Sequence, residues 1–124
     1  MIGKICKAWT PFYNAKIQKM GYKGRPALVI ARADAGDYVI LPVSTITHKE
    51  NIDPEFDVRI EPKDYPKLHL ERVSYVRTHK QIIANRASLN GAIGDLKTEY
   101  EDLYLEILEK REKFSKNITE QAIE

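Results

Sequence analysis

Gly24-Arg25-Pro26-Ala27-Leu28-Val29-Ile30-Ala31 is the stretch from which the fold can be read. Ala27 to Ala31 is an unbroken apolar run bounded upstream by Gly and Pro, the pattern of a strand buried on both faces. Ala35-Gly36-Asp37 then supplies turn chemistry, and Tyr38-Val39-Ile40-Leu41 resumes the β pattern, which predicts a hairpin. Upstream, Ile2 to Trp9 alternates as a strand with Cys6 and Ala8 on one face. Between these two strands, Thr10 to Gly24 holds Pro11, Asn14, Gly21 and Gly24 and is expected to be a long loop. Downstream, His48 to Glu55 is loop-like, Phe56 to Ile60 alternates as a short strand, and Asp64-Tyr65-Pro66 is a turn. Leu68 to Thr78, rich in Val, Tyr and Thr, is expected to be the longest β-type stretch of the chain. Ala87 to Leu96 reads as a last strand bent at Gly91 and Gly94. Many short strands at close spacing predict a small barrel or sandwich rather than a doubly wound sheet.

The remainder reads as helix. Thr98-Glu99-Tyr100-Glu101 has the form of a capping box, in which the hydroxyl and the carboxylate satisfy each other's backbone N–H groups. Apolar residues recur at Tyr100, Leu103, Tyr104, Ile107, Leu108 and Phe114, a stripe suited to packing on the open face of a barrel, with Leu105 off it. Residues 115–124 are expected to fray, leaving 1–114 as a single domain. The fold class predicted is mainly β with α (α+β).

With 124 residues, 43% apolar and 31% charged, the chain has the size for one domain and is neither disordered nor fibrous in composition. No apolar run approaches the roughly 20 residues that span a bilayer. The start, Met1-Ile2-Gly3-Lys4, has no signal-peptide core, and the single Cys6 excludes an internal disulfide. Together these predict a cytoplasmic protein without membrane contact. The net charge of +2 hides a segregation: residues 1–30 hold six Lys/Arg and no Asp or Glu, whereas residues 95–124 hold nine acidic and five basic residues. An anionic ligand is expected at the basic surface and a different task at the acidic helix.

His48, His69 and His79 have no ligand spacing with one another or with Cys6, so neither a metal site nor a cofactor is expected. Gly21-Tyr22-Lys23-Gly24-Arg25 matches neither a phosphate-binding loop nor a dinucleotide fingerprint, and Cys6 in an apolar strand reads as a small hydrophobe. What remains is Arg25 at the mouth of a buried strand, Ser44 and Thr45 just past Pro42, and Arg72, Ser74 and Arg77 on a later strand. Arginine is permanently charged and grips phosphate with a two-pronged hydrogen bond, so arginines converging with hydroxyls fit a phosphodiester site. Lys16, Lys19 and Lys23, interleaved with Tyr13 and Tyr22, suit a surface that clamps a nucleic-acid backbone and stacks bases.

These pieces resemble the MazF/PemK family of toxins, the endoribonuclease partners in type II toxin–antitoxin pairs. The resemblance rests on Gly24 to Ile30, on Val39-Ile40-Leu41-Pro42-Val43-Ser44-Thr45, on Val73-Ser74-Tyr75-Val76-Arg77-Thr78 and on Ile93-Gly94-Asp95-Leu96 before a helix, spaced over residues 2–110. It implies a small Src-homology-3-like β-barrel with a C-terminal helix, MazF/CcdB-like, acting as a cytoplasmic homodimer. It further implies sequence-specific, metal-independent cleavage of single-stranded RNA, restraint by a cognate antitoxin, and contact with DNA only indirectly through that antitoxin. The family's catalytic Arg falls on Arg25 and its hydroxyl on Ser44, with Thr45 adjacent. An Arg and an Asp of the PemK branch fall on Arg72 and Ser74, which leaves the general base to His79 or His48. Lys16, Lys19, Tyr22, Lys23 and Arg77 are the expected RNA contacts. Two alternatives share the fold: a CcdB-like toxin that binds a topoisomerase and cleaves nothing, and a non-catalytic nucleic-acid-binding barrel.

Overall fold

Two long strands dominate the molecule, β1 (Lys4–Asn14) and β2 (Lys19–Arg32), paired antiparallel in unbroken register from Ile5 opposite Leu28 to Asn14 opposite Lys19. The structure, a computed structural model, describes the backbone of residues 1–124 and the side chains of all but residues 10–12. The expected loop from Thr10 to Gly24 is therefore a β-ribbon closed by a short turn. Asn14 Oδ1 accepts the Lys16 N–H at 3.0 Å and Gln18 takes φ +51°, so the reversal is made in a few residues. Pro11 is tolerated because β1 has a second neighbour only as far as Ala8 and is an edge beyond it.

The other strands are β3 (Asp37–Ser44), β4 (Asp57–Ile60), β5 (Ser74–Arg77), β6 (Ile82–Asn85) and β7 (Leu89–Asp95). The sheet order is β4-β5-β3-β2-β1-β7, all neighbours antiparallel. One edge of β3 serves two partners, β6 along Asp37–Ile40 and β5 at Val43 and Ser44. The sheet curls into a half-barrel with the C-terminal helix across its open face, a small α+β barrel fold. Ile5, Leu28, Leu41, Val43, Ile60 and Val76 line the concave side and meet Leu103, Tyr104 and Ile107 of α2 (Glu101–Ala122). Fully burying each such aliphatic side chain contributes roughly 1.5–3 kcal/mol. A smaller cluster of Cys6, Ala8, Ala27, Val29, Ile40 and Leu89 packs on the opposite side of β1 to β3.

Three further expectations need correction. The long strand Leu68 to Thr78 is only β5; a 3-10 turn at Pro66–Leu68 precedes it, and His69 in a left-handed conformation ends that turn and breaks the extended run. Strand β6 is an element the sequence pattern does not announce, since four residues without turn punctuation leave little signal. The capping box does not form: Asp95 accepts the Thr98 N–H at 3.1 Å and starts the short α1 (Leu96–Glu99). Tyr100 then breaks the helix, its hydroxyl taking the Lys67 N–H at 3.1 Å and its ring standing edge-on to Tyr65. Finally, α2 continues to Ala122 through the segment expected to fray, a stretch of good helix formers such as Lys116, Glu120, Gln121 and Ala122. The apolar stripe of the helix is as read: Leu103, Tyr104 and Ile107 are buried, and Leu108 and Phe114 are half-buried. No helix among the described residues is long and apolar enough to cross a membrane.

Candidate functional site

Beyond Ala8 and Ala27, β1 and β2 leave the barrel as a two-stranded arm. Alternation along a regular ladder separates its faces. Trp9, Tyr13, Met20 and Tyr22 share the face that continues from the barrel interior, and all four are exposed. The Trp9 indole lies over Gly24, its directly opposed residue, where a Cβ would stand 4.0 Å from the ring. Lys19, Lys23 and Arg25 lie on the other face, and Lys16 is in the turn. An aromatic inner face backed by a basic outer one is what the alternation of this segment encodes; reading it as loop hides that order.

At the root of the arm the barrel end opens into a cleft of about 440 Å³ lined by Lys7, Pro26, Thr45, His69, Leu70, Glu71, Arg72, Ser74 and Ile93. Lys7 comes from β1 one alternation before Trp9, and Thr45 from the residue after β3. Arg72 comes from the bend before β5, where the buried Ser74 hydroxyl donates to its carbonyl at 2.9 Å. Ser74 thus shapes the bend that presents Arg72, rather than offering a free hydroxyl. His69 is delivered by the turn at Pro66–Leu68. Leu68 pins that turn in the core and Gly94 of β7 lies against it so closely that a Cβ there would meet Leu68 Cα at 2.8 Å. His69 Nδ1 sits 2.5 Å from the Ile93 carbonyl oxygen.

Arg25 and Ser44 are placed differently. Extending the β2–β3 ladder two residues past Ala27 opposite Pro42 sets Arg25 opposite Ser44, on the face turned away from the cleft. They adjoin the cleft through the chain, because their neighbours Pro26 and Thr45 line it. Ser44 also pairs with Tyr75 of β5, so Arg25, Ser44 and Tyr75 form one row across three strands. Arg25 is exposed and has no carboxylate partner among the described residues.

His79 and Arg77 belong to another cluster. The Asp57 carboxylate is fully buried and accepts Arg77 Nε at 3.1 Å, Arg77 Nη2 at 3.4 Å and the Asp53 N–H at 2.8 Å. Arg77 also donates to the Asn51 carbonyl. His79 is nearly covered, lies against the Phe56 and Phe114 rings, and has Nδ1 buried without a hydrogen bond, 3.8 Å from Asp57 Oδ1. Burial pushes its pKa down, with Asp57 and Asp53 pulling the other way. This cluster ties α2 to the loops before β4 and after β5 and does not line the cleft. His48 is exposed beside Glu50. Neither histidine chosen from the sequence stands at the cleft; His69 does. Its only sequence signal is its place three residues after the Asp64-Tyr65-Pro66 turn.

Among the described residues no group of three His, Cys, Asp or Glu is arranged to hold a metal ion. Compared with protein-family models and with curated proteins, the sequence matches none.

Proposed function

We propose that this protein is a metal-independent endoribonuclease acting on single-stranded RNA, the toxin of a type II toxin–antitoxin pair as the MazF/PemK resemblance implies. The observation that supports this most is the cleft at the root of the arm, where Lys7 and Arg72 stand with the Thr45 hydroxyl, flanked through the chain by Arg25 and Ser44. Cations and hydroxyls gathered at one end of a barrel suit a phosphodiester, and the exposed aromatic face beside them suits unstacked bases. Single-stranded RNA needs no metal for its own cleavage, because the ribose 2′-hydroxyl is an internal nucleophile. The protein has to hold the phosphate for in-line attack and offset the negative charge that builds on it.

The test is incubation of the purified protein with RNA in excess EDTA. Cutting is expected, leaving a 2′,3′-cyclic phosphate and a 5′-hydroxyl, and a single 2′-deoxy substitution before the scissile phosphate abolishes it. Arg72→Ala and Thr45→Ala, at residues that line the cleft, each lower the rate, since losing one preorganised donor to a developing oxyanion typically costs about 3–4 kcal/mol. Activity that needs added magnesium, or cutting of the deoxy-substituted strand, refutes the reading. RNA that is bound but left whole favours the non-catalytic binding barrel.

A further inference from the structure

We propose that His69 is the general base of the cleft, taking the proton from the attacking ribose 2′-hydroxyl through Nε2; the proposal rests on the nuclease reading above. Three features of the residue converge. First, its tautomer is set. A carbonyl oxygen only accepts, so the contact between Nδ1 and Ile93 O places the proton on Nδ1 and leaves Nε2 of the neutral ring with a free lone pair. Second, its backbone is held in a conformation that L-residues seldom adopt, φ +54° and ψ 34°. Buried Leu68 on one side and the Ile93 carbonyl on the other fix it there, and backbone strain of this kind concentrates at functional positions. Third, the ring is exposed and lines the same cleft as Lys7, Thr45 and Arg72.

The charged groups facing His69 are Lys7 from β1 and Glu71 and Arg72 from the segment that follows it. Glu71 is the one other group in the cleft able to accept a proton among the described residues. In the step, Nε2 takes the 2′-hydroxyl proton as O2′ bonds to phosphorus. The P–O5′ bond breaks with its electron pair on O5′, which collects a proton from water. The imidazolium returns its proton to solvent, so no oxidant, reductant or co-reactant is consumed.

The variant of choice is His69→Asn, because Asn tolerates the left-handed backbone and still donates to the Ile93 carbonyl, yet cannot act as a base. Its cleavage rate in EDTA is expected to fall by about 10²–10⁴-fold with RNA affinity little changed. The acid limb of the wild-type pH–rate profile disappears with it. His69→Gly, equally at ease at this φ, regains activity when imidazole is added, which a merely structural role does not allow. Glu71→Gln keeps the acid limb. If the wild type cuts RNA and His69→Asn, folded by circular dichroism, cuts as fast, the base assignment is wrong and the nuclease reading stands. Loss of the acid limb in Glu71→Gln instead also overturns it. If the wild type cuts no RNA, the nuclease reading falls, and the role of His69 falls with it.

Discussion

Gly94→Ala is the sharpest probe of how the cleft is held. Gly94 sits in β7 opposite Ile5, and the added methyl carbon would stand 2.8 Å from Leu68 Cα, 2.9 Å from the Lys67 carbonyl oxygen and 3.2 Å from Leu68 Cδ2. Two of those neighbours are backbone, so the clash cannot be relieved by turning a flexible side chain. The turn at Pro66–Leu68 must retreat from β7. Overpacking of this sort costs about 1–3 kcal/mol, and rigid neighbours put it at the upper end. The smaller unfolded-state entropy of Ala returns roughly 0.4–1 kcal/mol, so the net loss is about 2 kcal/mol. For a domain of this size that is a fall in Tm of roughly 5–10 °C. Thermal unfolding followed by the helix signal in circular dichroism measures it. Gly91→Ala is the control, since a Cβ there meets nothing within 4 Å, and its Tm should hold or rise slightly. If Gly94→Ala is as stable as the wild type, β7 and the turn bearing His69 are not in the contact described, and the basis for fixing that ring is lost.

Two further outcomes follow from the buried cluster around Asp57. Asp57→Ala strands the Arg77 guanidinium, whose side chain is 22% exposed, and removes the acceptor of the Asp53 N–H, so urea unfolding should show a loss of about 3 kcal/mol, the lower end for breaking a buried pair. A loss below ~1 kcal/mol would mean that the pair behaves as a surface one. For His79, burial lowers the folded pKa beneath the ordinary 6.5, so the unfolded chain binds the proton first on acidification. Its contribution to stability is complete above pH 6.5 and is lost as the pH falls through the lowered value. Asp53, lowered from 3.8 chiefly by the Phe56 N–H, contributes its own loss only below that value, so the decline that sets in below pH 6.5 begins with His79. Unfolding titrations of His79→Leu should lack the first decline and keep the second; an unchanged decline would clear His79 of it.

Much of the barrel was legible in the sequence because its signals are local. The apolar run Ala27–Ala31, the turn at Ala35-Gly36-Asp37 and the spacing Leu103, Tyr104, Ile107 each carry their own period. The arm was not legible, because Pro11, Gly21 and Gly24 read as loop punctuation when no partner strand is in view. Its register, which sorts Trp9 and Tyr22 from Lys23 and Arg25, is a property of the pair. Strand propensity in Val73-Ser74-Tyr75-Val76 was real, but a left-handed residue at 69 is set by tertiary packing against Ile93 and Gly94 and leaves no trace in residue type. For the same reason Arg72 and Thr45 could be chosen from the chain, while Lys7 and His69 join them only through the curl of the sheet.

Cys6 has a use that its chemistry alone does not suggest. It is 1% exposed, paired between Ala27 of β2 and Ala92 of β7, and burial raises its thiol pKa, so in the closed barrel it is neither reachable nor ionised. A thiol reagent can take it only when β1 parts from a neighbour. The chain therefore carries a single built-in clock: the pace at which Cys6 is alkylated counts how often the strand that links arm to barrel lets go.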